Sequence, residues 1–451
     1  MRLLADGARI LLSRVGQVLA NAAVVMLVAK SLGPVGQGHY SLTMALAMLM
    51  GSLLGGGLGL AAVPPLRRGL VGPLRMLRAQ ATWTGAMALV LVLLAWWSGR
   101  IPQADVLADR LGWNPQLGYL AALAAVSILG FEICSYDLLA RGRVVVSASV
   151  NGVRAVGHLL VAGALFLAGA LTFGRAVGAF ALAQAGGMVA LAIVLWRDLQ
   201  RPDSLPEVPA VAAAIPGKPA PPVEIGAIPD DLGQRSLAGL IAFNLRRGWL
   251  GQLSAVAYFL LLRLDQGMLV SYRGAAEVGI YSIAVYVAEM LWLLPGALTP
   301  LLVHSSAAPP GDPERDRNAA RALRWGTLVT LTAAVPLFLL ADPLVSLLAG
   351  PEFRGAGPAL KALLPGIVAF APGAVLAGDF IGRGRPHWNT QASVLTVVVN
   401  VAVGVVLIPR HGPVGAAWSS TIAYAAGSAV MLARFRQATG LSLRALLMGR
   451  H

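Results

Sequence analysis

The chain is a series of apolar segments of about 20 residues, separated by short polar turns. A helix of roughly 20 residues crosses the hydrocarbon of a bilayer, which is about 30 Å thick. The strict alternation of apolar and polar positions that is typical of membrane β-barrels is absent from the sequence. The pattern predicts an all-α polytopic membrane protein with about 12 transmembrane helices, near residues 9–31, 40–63, 80–97, 117–138, 145–168, 175–196, 248–271, 278–303, 325–348, 358–381, 388–409 and 413–433.

A long polar segment divides these predicted helices into two sets of six. Eight residues between Arg197 and Arg235 are proline, a density that opposes helix formation and favours an extended chain. We therefore predict an N-lobe (1–196), a cytoplasmic Pro-rich linker (197–236), a C-lobe (237–436) and a cytoplasmic amphipathic tail (437–451).

Two short motifs occur once in each predicted lobe. GPVGQGHYSL, which begins at Gly33, is matched by GAAEVGIYSI from Gly274, an offset of 241 residues. DLLARGR, which begins at Asp137, is matched by DFIGRGR from Asp379, an offset of 242 residues. Nearly equal offsets indicate one duplicated six-helix unit. Because six spans return the chain to its starting side, we expect two parallel six-helix repeats around a central cavity.

Composition agrees with a membrane protein, and the charge distribution predicts its orientation. Hydrophobic residues make up 57% of the chain and charged residues 12%, against about 25% charged residues in typical soluble domains. The net charge of +15 would suggest nucleic acid in a soluble protein, but here the basic residues lie between apolar segments. We count 24 Lys and Arg on one side of the spans and seven on the other. This bias places both termini and the linker in the cytoplasm.

Motifs for catalysis and metal binding are missing from the sequence. It contains neither a phosphate-binding G-x-x-x-x-G-K-[ST] loop nor H-E-x-x-H, and its single cysteine, Cys134, lies in an apolar segment. We therefore expect a protein that is not an enzyme, with no cofactor and no metal site.

Polar residues within the predicted spans are candidates for binding an anionic substrate. Two polar stripes each follow one helical face: Arg14, Gln17 and Asn21 on the first span, and Asn151, Arg154 and His158 on the fifth. Arginine pairs bidentately with phosphate oxygens, so the two stripes suit a diphosphate. Snorkelling to the membrane surface explains Arg14 equally well. For His158, packing against a neighbouring carbonyl is the alternative interpretation.

Acidic side chains at membrane depth need a partner, water or a proton. Glu289, eleven residues into the eighth span, and Glu132 on the fourth span are candidates for ion coupling. Arg263 on the seventh span is a further candidate for the diphosphate, and Asp265 two residues later needs a partner on another helix. Glu289 is either a protonation site or half of a structural ion pair with an arginine such as Arg263.

The duplicated Asp-x-x-x-Arg-Gly-Arg motif is predicted to end a helix in each lobe. Its aspartate precedes its first arginine by one turn, so we expect an i, i+4 pair, and the glycine stops the helix. These segments either end helices and set topology, or also close a cytoplasmic gate in which an aspartate of one lobe pairs with an arginine of the other. The candidate gate residues are Asp137, Arg141, Arg143, Asp379, Arg383 and Arg385.

Longer segments along nearly the whole chain carry a resemblance to a known family. They are AKSLGPVGQGHYSL, RLDQGMLVSYRGAAEVGIYSIAVYVAEMLWLLPGAL, LLAGPEFRGAGPALKALLPG, IGRGRPHWNT, LIPRHGPVGAAWSS and TGLSLRALL. Together they resemble the bacterial polysaccharide and O-antigen flippases of the MATE-like exporter superfamily. The resemblance implies that undecaprenyl-diphosphate-linked oligosaccharide passes from the inner to the outer leaflet of the bacterial inner membrane by alternating access. The implied partners are lipid-linked oligosaccharide, membrane lipids and other polysaccharide assembly proteins, without nucleic acid.

Two other classes of function stay open. A multidrug or cation antiporter of the same superfamily would need acidic residues for its cation, and their scarcity in the N-lobe spans, where we count Glu132, argues against it. A membrane-bound glycosyltransferase or ligase would need a large external loop, which the sequence lacks.

Overall fold

The computed structural model describes residues 2–98, 100, 115–200, 228–296, 299–306, 313–442 and 446. Residues 201–227 of the predicted linker, and residues 443–445 and 447–451 of the predicted tail, lie outside this described part. Regular structure in the described part is helical throughout, without strands. Helices satisfy their own backbone hydrogen bonds, as segments in hydrocarbon must.

The described chain forms two compact units. Unit 1 contains residues 2–32, 39–200 and 228–256, and unit 2 contains residues 33–38, 257–296, 299–306, 313–442 and 446. One long helix, α7 (Leu237–Arg273), contributes its first part to unit 1 and its last part to unit 2.

Unit 1 is otherwise built from the helices of the first half of the chain. They are α1 (Arg2–Gly55), α2 (Leu58–Arg67), α3 (Pro73–Ser98), α4 (Pro115–Ala140), α5 (Val144–Leu167) and α6 (Phe173–Leu199). A buried core that includes Tyr40, Leu117, Ala162 and Phe180 joins α1, α4, α5 and α6. The end of the predicted linker forms a 3-10 turn at Asp230–Gln234 and packs into a second core of this unit through Leu232.

Unit 2 contains the helices of the second half. After α7 they are α8 (Ala275–Glu289), α9 (Leu293–Gly296), α10 (Thr299–Ser305), α11 (Pro313–Leu339), α12 (Ala341–Leu348), α13 (Ala356–Gly382) and α14 (His387–Thr439). Its core includes Leu302, Leu323, Phe380 and Phe435, and joins α10, α11, α13 and α14. Large apolar side chains from distant parts of the sequence therefore hold the helices together.

Ten helices in the described part are long and apolar enough to cross a membrane. Two of them, α1 and α14, each cover two of the predicted spans and bend at one glycine. Gly33 has φ 64° and ψ −173°, and Gly412 has φ 54° and ψ −129°, conformations that a side chain would strain. The ten helices therefore account for all twelve predicted spans.

Three of the predicted spans are interrupted rather than continuous. The breaks fall in the spans predicted at 40–63, 278–303 and 325–348. Gly56 and Gly57 separate α1 from α2 with φ of 54° and 71°. Pro295 lies in the divided region between α8 and α10 and lacks the N–H that a helix interior needs. At Leu340 the backbone leaves helical geometry between α11 and α12. Hydropathy measures apolar length, so it does not detect these backbone breaks.

Both copies of the Asp-x-x-x-Arg-Gly-Arg motif end their helix in the same way. Gly142 and Gly384 have φ of 72° and 71°, the left-handed conformation with which glycine ends many helices. In both copies the N–H of the second arginine donates to the carbonyl five residues earlier, at 2.8 Å. The equivalent segments of the two predicted repeats therefore share one local structure.

The two copies of the glycine-tyrosine motif cross at close range within unit 2. A Cβ atom on Gly38 would overlap the carbonyl of Ala275, and one on Gly279 would overlap the carbonyl of Pro34. The two backbone segments approach each other so closely because neither crossing residue has a side chain.

Gly38→Ala and Gly279→Ala should each destabilise the protein, because the added methyl group forces two backbones apart. Overpacking of this kind costs about 1–3 kcal/mol. Thermal unfolding of the detergent-solubilised variants measures the effect, and Gly267→Ala is the control because open space surrounds that helical position. Equal stability of all three variants would mean that the crossing tolerates a side chain.

Candidate functional site

A chain of hydrogen bonds joins the first and fifth predicted spans inside unit 1. Asn151 Nδ2 donates to Gln17 Oε1 at 3.0 Å, and Arg154 Nη2 donates to Asn151 Oδ1 at 2.5 Å. The guanidinium carbon of Arg154 lies 4.9 Å from the centre of the Phe131 ring, within the range of a cation–π contact. These contacts hold the guanidinium in a defined orientation.

Arg154 keeps its positive charge without an acidic partner in the described part of the chain. Its hydrogen-bond acceptor, Asn151, is a neutral amide. Gly187 on α6 leaves room for the arginine stem, since a Cβ atom there would lie 2.6 Å from Arg154 Cδ. A charged arginine near the centre of a membrane helix costs at least roughly 2.5–3.5 kcal/mol. The site therefore favours an anion.

The other members of the two polar stripes do not join this chain of hydrogen bonds in the described structure. Arg14 is exposed, and Asn21 is half-buried. His158 is buried, and its ring lies 5.7 Å from the Phe180 ring. Its Nε2 has no hydrogen-bond partner in the part of the chain that the structure describes. Of the candidate diphosphate ligands in unit 1, the fold thus brings Gln17 and Arg154 together.

Arg263 and Glu289 form a bidentate ion pair in unit 2. Arg263 Nη1 lies 2.5 Å from Glu289 Oε1, and Nη2 lies 3.0 Å from Oε2. The guanidinium carbon also lies 5.7 Å from the centre of the Tyr286 ring. The structure therefore has the ion pair, one of the two interpretations of Glu289. In this pair Glu289 binds the guanidinium of Arg263, the group that the sequence analysis names as a candidate ligand for the diphosphate.

Asp265 is the centre of a second buried polar cluster in unit 2. Its Oδ2 accepts hydrogen bonds from Tyr281 at 2.5 Å and from Ser420 at 2.8 Å, and its Oδ1 accepts the backbone N–H of Gln266 at 2.8 Å. Asn400 Nδ2 donates to Ser420 Oγ at 3.1 Å. The partners on other helices that Asp265 was expected to need are therefore on α8 and α14.

Glu132 lies on α4, close to the break between α1 and α2. A Cβ atom on Gly55 would lie 3.9 Å from Glu132 Oε2. Gln252 closes this break, because it accepts the N–H of Gly57 at 2.9 Å and donates to the carbonyl of Ser52 at 2.5 Å. Glu132 is half-buried, and its role in ion coupling stays a prediction.

The first copy of the Asp-x-x-x-Arg-Gly-Arg motif differs from the expected i, i+4 pair. Gln80 Nε2 donates to Asp137 Oδ1 at 3.0 Å. Arg141 and Arg143 instead pair with Asp198 at the end of α6, at 3.5 Å and 3.1 Å. The expectation for Asp137 and Arg141 is wrong because a buried carboxylate on a neighbouring helix binds both arginines at once.

The second copy of the motif has the expected pair. Arg383 Nε lies 2.6 Å from Asp379 Oδ2, and Nη2 lies 2.8 Å from Asp316. Ser306 Oγ donates to Asp379 Oδ1 at 2.5 Å. The guanidinium carbon of Arg385 lies 4.6 Å from the centre of the Trp388 ring. The charged helix end of this copy is satisfied within its own unit.

Sequence reasoning missed Asp198, Asp316 and Ser420 as partners of these charged groups. For Asp198 and Asp316 the sequence did contain information that could have identified them. The predicted cytoplasmic side carries 24 basic residues, so an acid among them is a candidate partner for several. Ser420 gave no signal, because serine is frequent and its partner lies 155 residues away.

No group of three His, Cys, Asp or Glu that could hold a metal ion occurs among the described residues.

No family model and no curated protein matches the sequence, whereas solved structures match its fold over nearly the whole chain. An inward-facing multidrug resistance MATE transporter of the MOP superfamily has a TM-score of 0.68 and 14% identity, over 93% of this chain and 94% of that chain. The lipid II flippase MurJ, in an inward closed conformation, has a TM-score of 0.70 and 13% identity, over 96% and 87%. A transporter of the same superfamily from Pyrococcus furiosus, whose binding pocket has reverse polarity, has a TM-score of 0.60 and 13% identity, over 98% and 95%.

The chain shares the fold of these transporter structures. This fold has two helical lobes, so the predicted all-α architecture of two six-helix repeats is confirmed. With ten helices that are long and apolar enough to cross a bilayer, the chain is a multi-pass membrane protein.

Asp379→Asn should destabilise the fold of this chain more than the loss of an exposed pair does. Asp379 and Arg383 are 0% and 3% exposed, and breaking a buried ion pair costs about 3–5 kcal/mol. Asp231→Asn is the matched control, since Asp231 is 59% exposed in its own i, i+4 pair and should change stability by about 1 kcal/mol or less. Denaturant unfolding in detergent measures both, and similar losses would contradict the importance of burial.

Proposed function

We propose that this chain moves an undecaprenyl-diphosphate-linked oligosaccharide, a polysaccharide or O-antigen precursor, from the inner to the outer leaflet of the bacterial inner membrane by alternating access. Its termini lie in the cytoplasm in this proposal, as the distribution of basic residues predicts. The transporter fold supports the proposal, and a lipid II flippase is among the structures with that fold. The observation that carries the proposal is Arg154, a cation on a membrane-spanning helix without an acidic partner in the described part.

A diphosphate fits the chemistry around Arg154. Guanidinium has five N–H donors in a planar fork, and the bond to Asn151 uses one of them. The remaining donors match phosphate oxygens, which accept charge-assisted hydrogen bonds from arginine. Asn151 and Gln17 are neutral, so they orient the arginine without cancelling its charge. A permanent carboxylate partner in their place would oppose an anionic substrate.

Arg154→Ala should weaken the binding of undecaprenyl diphosphate to the purified protein about 10- to 100-fold, because hydrogen bonds to charged groups contribute about 1.5–3 kcal/mol. Arg154→Lys should keep part of the affinity, since it keeps the charge and loses the fork. Microscale thermophoresis in detergent measures the dissociation constants, and export of lipid-linked glycan in cells should fall in the same order.

Arg78→Ala is the control for this experiment, because Arg78 is exposed at the start of α3, outside the Arg154 site. Unchanged binding and export in the Arg154→Ala variant, with the protein present in the membrane, would refute the role of Arg154.

Arg263 in unit 2 is a further proposed ligand for a substrate diphosphate, considered separately from Arg154 in unit 1. In the structure its guanidinium already binds a carboxylate through two hydrogen bonds, the geometry in which arginine also binds phosphate. In our proposal the substrate diphosphate displaces Glu289 from Arg263, and Glu289 then takes up a proton or cation. This exchange would couple the passage of the substrate to an ion.

Glu289→Gln should strengthen undecaprenyl diphosphate binding, since the competing carboxylate is removed while Arg263 remains. Export in this variant should also lose its response to dissipation of the proton gradient. Binding and export assays measure both effects, with Glu352→Gln as the control because Glu352 is exposed on unit 2. Weaker binding together with an intact response to the gradient would make Glu289 a structural partner of Arg263.

Multidrug export is the second candidate function, and the multidrug MATE transporters of similar fold favour it. A cationic drug would meet the positive charge of Arg154, which opposes its binding. The two functions therefore predict opposite results for Arg154→Ala: weaker binding of a lipid diphosphate, or stronger binding of a cationic drug such as ethidium.

A further inference from the structure

A cleft of about 490 Å³ runs along α11 in unit 2. Its walls come from α11, α13, α14 and Leu446, a residue of the predicted tail. The volume lies within the range of small-molecule sites, about 300–1,000 Å³. Neither Arg154 nor Arg263 lines it, so the cleft is separate from the proposed diphosphate site.

The cleft is charged at one end and apolar along the rest. Arg321, Arg324, Leu328 and Leu331 all line it, and their spacing of three, four and three residues places them on one face of α11. From Arg321 to Leu331 the helix rises about 15 Å, at 1.5 Å per residue. The lining therefore changes from cationic to apolar over the length of part of an acyl chain.

The two arginines of the cleft have no acidic partner within the described residues. The acids at the start of α11 are already engaged with other arginines. Glu314 lies 3.5 Å from Arg317, and Asp316 lies 2.8 Å from Arg383. The positive charge at the end of the cleft is therefore available to an outside anion.

The apolar part of the cleft lies open beside a membrane-spanning helix. Trp325, Leu328 and Leu331 are 60%, 49% and 45% exposed, whereas Leu446 at the cleft is buried. Tryptophan next to a charged helix end is typical of the interface between hydrocarbon and headgroups. An occupant that satisfies both parts must itself carry an anionic head and an apolar chain.

We propose that this cleft binds one anionic phospholipid of the bilayer, with its phosphate at Arg321 and Arg324 and an acyl chain along Leu328 and Leu331. Basic pockets between transmembrane helices bind anionic headgroups in this manner. A zwitterionic phospholipid brings an ammonium group towards two arginines, so it binds more weakly. A free phosphate would leave the apolar wall of the cleft uncovered.

The test uses the full chain in nanodiscs of phosphatidylglycerol and phosphatidylethanolamine. Native mass spectrometry after release counts the retained lipids, and phosphatidylglycerol should be retained in preference. Arg321→Gln/Arg324→Gln should weaken its retention about 25-fold, from about fivefold for each charge. Arg68→Gln/Arg78→Gln is the matched control, since it removes two exposed arginines outside the cleft and should leave this lipid bound.

A second variant separates a lipid from a bare phosphate. Leu328→Trp fills the apolar part and keeps both arginines, so it should also lose the phosphatidylglycerol. Retention in this variant would mean that the site takes only the phosphate. If the double glutamine variant fails to fold, Arg324→Gln alone should show the fivefold effect. Three results would overturn the proposal. The cleft variant and the control variant retain phosphatidylglycerol equally, or the protein retains phosphatidylethanolamine as strongly as phosphatidylglycerol. The third is that undecaprenyl phosphate, added at the same fraction, displaces the phosphatidylglycerol.

Discussion

A charge placed among apolar helices must meet an opposite charge, a hydrogen-bond donor or acceptor, or water. This constraint organises the polar interior of both units. Arg263 meets Glu289, Arg383 meets Asp379 and Asp316, and each pair lies among helices that otherwise expose apolar side chains. Because the helices satisfy their own backbone, the charged side chains must find their partners on other side chains. Arg154 meets the neutral amide of Asn151 instead of a carboxylate, and this difference is the basis of our proposal that it binds a substrate.

The two repeats keep one backbone geometry and differ in their electrostatics. The glycines of the duplicated motif, which end a helix in each copy, have φ values within one degree of each other. The aspartates of the two copies nevertheless differ, since Asp137 accepts from the neutral Gln80 and Asp379 binds the cationic Arg383. Duplication thus supplied a scaffold whose backbone hydrogen bonds do not depend on the side chains, which left the ion pairs free to diverge.

The sequence was sufficient to predict where the apolar spans lie and that the chain is duplicated. Apolar length determines a span, and repeated glycines at equal offsets mark equivalent turns. The bends at Gly33 and Gly412 were not predicted, because hydropathy carries no information on backbone angles. Breaks near Pro295 and at Gly56 were missed for the same reason.

The sequence was sufficient to select the candidate site residues one by one. It was largely insufficient to predict which of their side chains form ion pairs and hydrogen bonds with each other. The free-energy cost of placing a charge in the membrane was enough to select Arg154, Arg263 and Glu289 as candidates. An ion pair between Arg263 and Glu289 was one of the two interpretations of Glu289. The partner of Arg141 could not be found from local spacing, since Asp198 lies 57 residues further along the chain. Contacts of this kind depend on how helices pack, which a single sequence does not encode at any fixed spacing.

The bends in α1 and α14 affect how the topology of this protein can be mapped. Proteases and inserted epitopes act at exposed, flexible loops, and each of these turns is instead a single glycine between two helical segments. A Cβ atom on Gly412 would also meet the side chains of Glu277 and Arg273. Digestion should therefore leave both turns uncut, and insertions there should not be tolerated. Mapping by cleavage would record each pair of predicted spans as one segment and would report ten segments where the sequence predicts twelve spans.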